Sequence, residues 1–413
     1  MASNDSCGFG RLGGETSLDE AWRAASHRRR LVAVVGVASS LALSAPVVAQ
    51  GASDDLPPVA PLPVAQDGGD EGPATDDEVP SVDRPLAAVF AFVPGILVGG
   101  SGHFALGQRQ TAYRLFALQG VAMALISAGV VPLIFTVANR YSVTPLAMTA
   151  IGGAAVGSSG WLADVYGTMV PPEYRGLPRL RLPHLQAELG YRYVHEPAFD
   201  YGSFAVNALD VRYGPWRLRP SAWVALDNPN GRLRALGAYR YFGPRAAPSG
   251  VARTGTFLDL EAAVTHHRYG SEGFSILTGE VVSSGRLDLA VYDENLTGMF
   301  ADLSMGFGLQ RYAFDQVPPS RDSDHAWLLL ARFGFGAYLG RSEAPRGEVV
   351  LYYDHRHDGF AAGMTGAMVG IPGHAGLESE LYVSDRLGLR AEVQLGAAVV
   401  GGLSLLVRQE VQE

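Results

Sequence analysis

The sequence predicts a mainly β fold: an antiparallel transmembrane-type β-barrel of about 12 strands, preceded by an apolar α-helical hairpin and an N-terminal signal and linker. Three observations carry this expectation. From His184 onward, apolar and polar residues alternate with a period of two in segments of about nine to fourteen residues, the signature of half-buried antiparallel strands. Such segments are long enough for a tilted strand to cross a bilayer. Upstream, 115–138 is an unbroken apolar stretch of helical length, followed by a second one rich in small residues.

Composition narrows the function classes. Of 413 residues, 47% are hydrophobic and only 18% charged, and glycine is abundant at 51. All 32 basic residues are arginine, which fits a coding bias and is no mark of nucleic-acid binding. The net charge of −9 also opposes a phosphate-backbone partner. Cys7 is the single cysteine, so the body of the chain has neither disulfides nor thiolate metal sites.

The elements follow in order. Residues 1–49 form the signal region: His27-Arg28-Arg29-Arg30 is a basic start, Leu31 to Ala49 an apolar run, and Val47-Val48-Ala49 places cleavage after Ala49. An uncleaved anchor is the alternative. Residues 50–84 hold nine acidic residues, one arginine, many prolines and glycines and no aromatic residue, a composition that favours an extended, disordered linker. This linker carries −8, so the chain from Pro85 onward is close to neutral.

Residues 85–170 read as the helical hairpin. Leu115 to Ala138 is long enough to span a bilayer despite Pro132, Gln119, Ser127 and Thr136. Asn139-Arg140-Tyr141-Ser142 reads as a turn, and Val143 to Gly167 as a second helix whose Gly153 and Gly157 suit close helix packing in lipid. A short apolar piece, broken at Pro94-Gly95, comes first. The glycine-rich run 99–110 lacks the ending of a phosphate-cradling loop. His103 within it stands alone in the sequence, which suggests an interfacial, hydrogen-bonded role.

Residues 184–413 carry the barrel. In "LGLRAEVQLGAAV", Leu387, Leu389, Ala391, Val393 and Leu395 share one face, and Arg390, Glu392 and Gln394 the other. Leu258, Leu260, Ala262 and Val264 oppose Asp259 and Glu261 in the same way. Turns are expected at 227–231, at Ser283-Ser284-Gly285, at Pro318-Pro319-Ser320 and at Pro372-Gly373. They divide the region into twelve to fourteen segments. Tyr191, Tyr193, Tyr213, Trp216, Tyr239, Tyr241, Phe242, Tyr312 and Phe314 lie near segment ends, as interfacial girdles require.

In this pattern the region resembles a bacterial outer-membrane β-barrel. The resemblance is to a class, over some 230 residues. It implies an outer-membrane location and membrane lipid as partner, with lipopolysaccharide or other envelope proteins as further candidates, no nucleic acid and no cofactor. Arg109, Arg114, Arg175, Arg179 and Arg181 flank the hairpin away from its loop, which holds only Arg140. That arrangement opposes the positive-inside rule and disfavours the alternative, an inner-membrane anchor bearing a periplasmic β-domain. Lumen charges of both signs (Arg192 and Glu188, Arg217 and Arg219, Arg286 and Asp288, Arg390 and Glu392) predict a narrow or packed interior.

Two histidine clusters are the candidates for chemistry. "YYDHRHDGF", Tyr352 to Phe360, offers Asp354, His355, His357 and Asp358 as weak metal or acid–base candidates. His266 and His267 follow Glu261 on another strand. The known outer-membrane hydrolases that the class resemblance brings in pair a nucleophile with a histidine and an orienting group, which makes a barrel hydrolase the third alternative. Neither a Gly-x-Ser-x-Gly elbow nor a His-Glu-x-x-His helix occurs. Strand alternation sends His355 and His357 to the apolar side and Asp354 and Asp358 to the polar side, and it separates His266 from His267. The expected reading is a rim at the end of a strand, with Tyr352 and Tyr353 at the bilayer interface, no catalytic residue and a non-enzymatic barrel.

Overall fold

The computed structural model describes residues 83–136, 142–180, 182–195, 202–245, 254–315, 325–341, 345–355, 373–396 and 398–409. Four helices come first: α1 (Arg84–Phe92), α2 (Ser101–Ala105), α3 (Arg109–Phe135) and α4 (Val143–Met169). Twelve strands follow: β1 (Leu185–His195), β2 (Ser203–Tyr213), β3 (Trp216–Ala225), β4 (Gly231–Phe242), β5 (Phe257–Tyr269), β6 (Phe274–Asp288), β7 (Met299–Phe314), β8 (His325–Leu339), β9 (Arg346–Asp354), β10 (His374–Tyr382), β11 (Leu387–Leu395) and β12 (Val399–Gln409). Each strand pairs antiparallel with its sequence neighbours, and β1 closes on β12 through the register Leu185↔Gln409 to His195↔Val399. Closure leaves no edge, the condition for a sheet to sit in lipid with its backbone satisfied.

The period of two sorts the side chains as expected. Leu387, Leu389, Val393 and Leu395 are exposed on the outer wall, whereas Glu392 is buried in the lumen. Tyr213, Trp216, Tyr241 and Phe242 stand out on the wall at the end where the chain enters and leaves the barrel, here the proximal end. Tyr193 and Trp327 do so at the distal end.

The turn expected at Ser283-Ser284-Gly285 falls inside β6, which runs on to Asp288 before a 3-10 turn at Leu289–Val291. Ser283-Ser284-Gly285 is no turn, because continuous pairing with β5 and β7 overrides the local turn preference. Ser284 points inward and donates to Glu261 Oε1 at 2.6 Å. The segment 359–371, the turn at 318–320 and most of the turn at 139–142 lie outside the described residues.

Both α3 and α4 are long and apolar enough to cross a membrane. Their packing rests on glycine. A Cβ on Gly153 would stand 2.7 Å from the backbone nitrogen of Ile126, and one on Gly129 would stand 2.6 Å from that of Ala150. Gly157 has Ala122 Cβ at the equivalent of 3.2 Å. Gly129, on the first helix, is the partner that spacing in the second helix alone does not reveal.

The hairpin lies against the outside of the barrel at β7 and β8. Leu115, Ala163, Leu289, Leu296 and Met299 form one buried cluster, with Tyr166 and the outward-facing Phe335 packed on it. The Tyr166 and Phe335 rings meet edge-on at 6.5 Å. Hairpin and barrel wall are therefore packed side by side.

Candidate functional site

Three places concentrate polar chemistry among the described residues: the histidine-bearing rim, the hairpin dock and the lumen.

At the rim, Asp354 ends β9 facing inward and is buried, while His355 follows on the other side with its Nδ1 3.0 Å from the Tyr353 hydroxyl. His357 and Asp358 lie outside the described residues. Tyr353 stands on the outer wall against Phe333 at 5.3 Å, but Tyr352 does not mark the interface. It faces the lumen, 5% exposed, and donates to Glu392 Oε1 at 3.0 Å. Two adjacent tyrosines on a strand cannot both face lipid. Tyr312 and Phe314 likewise fall on the lumen-facing alternation, and Tyr312 packs into the barrel interior.

His266 is exposed on the outer wall and His267 is buried inside, stacked on Tyr269 at 4.0 Å. Glu261, inside, accepts from Ser284. No three or more histidine, cysteine, aspartate or glutamate residues converge as a metal site among the described residues.

At the dock, His103 is hydrogen-bonded, as expected, but it does not stand alone. It is fully buried, with Nδ1 2.6 Å from Oδ1 of Asp164, itself fully buried on α4. The same carboxylate accepts from the backbone N–H of Gly102 at 3.1 Å and of His103 at 3.0 Å. Asp164 is 61 residues away from His103 in sequence, a distance that hid the pair. A second carboxylate, Asp293 in the β6–β7 loop, accepts from Thr111 Oγ1 at 3.1 Å and from Arg114 at 3.0 Å, tying α3 to the barrel. Burial raises the pKa of Tyr292 in this loop, partly offset by Arg114. Arg175, just beyond α4, donates to the carbonyls of Val170, Gly167 and Asn295, and burial lowers its pKa.

From Arg175 the chain crosses the proximal mouth to reach β1. Leu177 N–H donates to Gly340 O at 3.0 Å at the end of β8, and Arg179 lies over the Tyr382 ring of β10 at 5.6 Å. Behind this connector is a cavity of about 410 Å³.

The lumen wall is a lattice of cross-strand ion pairs. Arg286 bridges Asp302 at 2.8 Å and Glu348 at 2.6 Å, Arg240 holds Asp259 at 2.7 and 2.8 Å, and Arg192 pairs with Glu392 at 2.6 Å. Glu188 accepts from both Arg219 at 2.9 Å and Arg390 at 2.7 Å. The expected lumen charges do face inward; the arginines among them join carboxylates on other strands, whereas Asp288 accepts from the backbone N–H groups of Gly255 and Ala290.

At the distal end the interior turns apolar. Val194, Phe204, Tyr269, Ile276, Ala398 and Val400 form one buried cluster, with Trp223 and Tyr312 packed on it. Arg192 and Arg232 sit over the Trp223 ring at 4.4 and 5.0 Å, joining this layer to the charged one.

No protein-family model and no curated protein matches the chain. Among solved structures it is similar to the KdgM porin in complex with disordered oligogalacturonate, with 9% identity, TM-score 0.33, and 54% of this chain and 99% of that one covered. It is also similar to the Acinetobacter baumannii outer-membrane protein Omp33 (9%, 0.28, 56% and 100%) and to the β domain of the Bordetella autotransporter BrkA (12%, 0.30, 55% and 99%). The chain's own architecture, a closed antiparallel barrel with an apolar wall and a charged interior, is that of an outer-membrane protein.

Proposed function

We infer that this outer-membrane barrel is non-enzymatic and serves as a narrow, charge-lined envelope component rather than a wide diffusion pore. One observation carries the reading: inward side chains occupy the lumen at both levels, apolar at the distal end and ion-paired below it. Buried ion pairs of this density hold a shape at the expense of free passage, because guanidiniums such as those of Arg240, Arg286 and Arg390 are fixed by carboxylates on other strands. The connector laid across the proximal mouth narrows the remaining route.

Liposome swelling tests this. Vesicles containing the folded protein should resist swelling in isotonic sucrose, as protein-free vesicles do. Swelling at the rate of a general diffusion pore would overturn it.

A further inference from the structure

Eleven arginines and seven carboxylates line the proximal cavity of about 410 Å³ among the described residues, and with Glu188 and Asp385, which pair with the lining arginines Arg219, Arg390 and Arg346 from just outside it, a surplus of two positive charges is left. The surplus is local. Arg212 and Arg217 both bind Asp210 Oδ2, at 2.9 and 2.7 Å, so two guanidiniums share one carboxylate oxygen. Arg408, 8% exposed, donates from Nε to the neutral amide oxygen of Gln186 at 2.9 Å. Its nearest carboxylate, Glu380, is 3.7 Å away and is already engaged by Arg390. Arg408 Nη1 is buried and has no hydrogen-bond partner among the described residues.

Buried guanidiniums without a carboxylate of their own are costly, and their planar forks match carboxylate and phosphate oxygens. We propose that the proximal cavity, walled by Arg212, Arg217 and Arg408 and covered by the connector through Arg179, is a binding site for a small organic polyanion bearing two or more carboxylate or phosphate groups. The site rests on the reading of the barrel as a narrow chamber and names what the chamber holds. Arg212, which shares its carboxylate with Arg217, and Arg408, which stacks on Tyr382 and shares its nearest carboxylate with Arg390, supply the incompletely compensated charge; Arg217 keeps Asp210 neutralised when Arg212 is removed.

The test is calorimetric titration of citrate into the full-length folded protein in detergent at low ionic strength, with sucrose and spermidine as neutral and cationic controls. Citrate should bind and the controls should not, with affinity falling as sodium chloride is added. An Arg212→Gln/Arg408→Gln variant should bind about tenfold more weakly or worse. Absence of citrate binding by folded wild-type protein, binding indifferent to salt, or unchanged affinity in a folded double variant would each overturn the site. Should the double variant fail to fold, the wild-type salt dependence and the two control solutes still decide. Sucrose-permeable vesicles would contradict the narrow-chamber reading, whereas sucrose-tight vesicles without citrate binding would contradict the anion site alone.

Discussion

His103 Nδ1 and Asp164 Oδ1 lie 2.6 Å apart, both fully buried, and join the short helix α2 to the C-terminal part of α4. Because Asp164 also accepts two backbone N–H groups, its loss strands three donors away from water. Asp164→Ala should therefore destabilise the helical assembly by roughly 3 kcal/mol. Trp161, whose indole N–H bonds Ala91 O at 3.2 Å, reports on it: its emission should shift to the red while the barrel keeps its heat-modifiable gel migration. An unchanged Trp161 environment would show that the pair contributes nothing to the assembly.

The tie between hairpin and barrel runs through Asp293, which binds Thr111, Arg114 and the Asn295 N–H. Asp293→Ala should loosen α3 from the β6–β7 loop at a cost of about 2 kcal/mol. Hydrogen exchange of 109–118 should then rise while exchange in β1–β3 stays constant.

Gly153 and Gly129 leave no space between α3 and α4. Leucine at either position must push the helices apart, with an expected loss of about 1–3 kcal/mol. Gly120, which has nothing within 4 Å of a built Cβ, is the control: Gly120→Ala should be neutral or slightly stabilising in thermal denaturation.

Much of this was legible in the sequence, and the reason is geometric. Strand alternation alone assigns Leu387, Arg390 and Glu392 to their faces, because a period of two needs no knowledge of partners. It also disqualified the "YYDHRHDGF" stretch from gathering its ligands, and Asp354 and His355 do part to opposite sides. Failures came where a local preference competed with pairing, as at Ser283-Ser284-Gly285. Tyr352 and Tyr312 lie near strand ends but on the inward parity, and parity, not nearness to the end, decides which face a side chain takes. What sequence could not reach were contacts between distant residues: His103 with Asp164, Arg408 with Gln186, and the hairpin against β7 and β8. A lone buried histidine or aspartate in an apolar helix demands a partner, but nothing local names it.

On the proposed narrow-lumen reading, the distal apolar layer is the part of the lumen that excludes passage. Phe204 and Trp223 rings pack at 6.2 Å within it, and truncating both removes two of the five aromatic rings of this layer. A Phe204→Ala/Trp223→Ala variant should acquire an ion path that the parent lacks.

Single-channel recording in planar bilayers measures this most directly. The parent protein should show small or no unitary currents, and the Phe204→Ala/Trp223→Ala variant a distinct increase. Large, steady open currents from the parent, unchanged by the double substitution, would contradict a lumen closed by its own side chains.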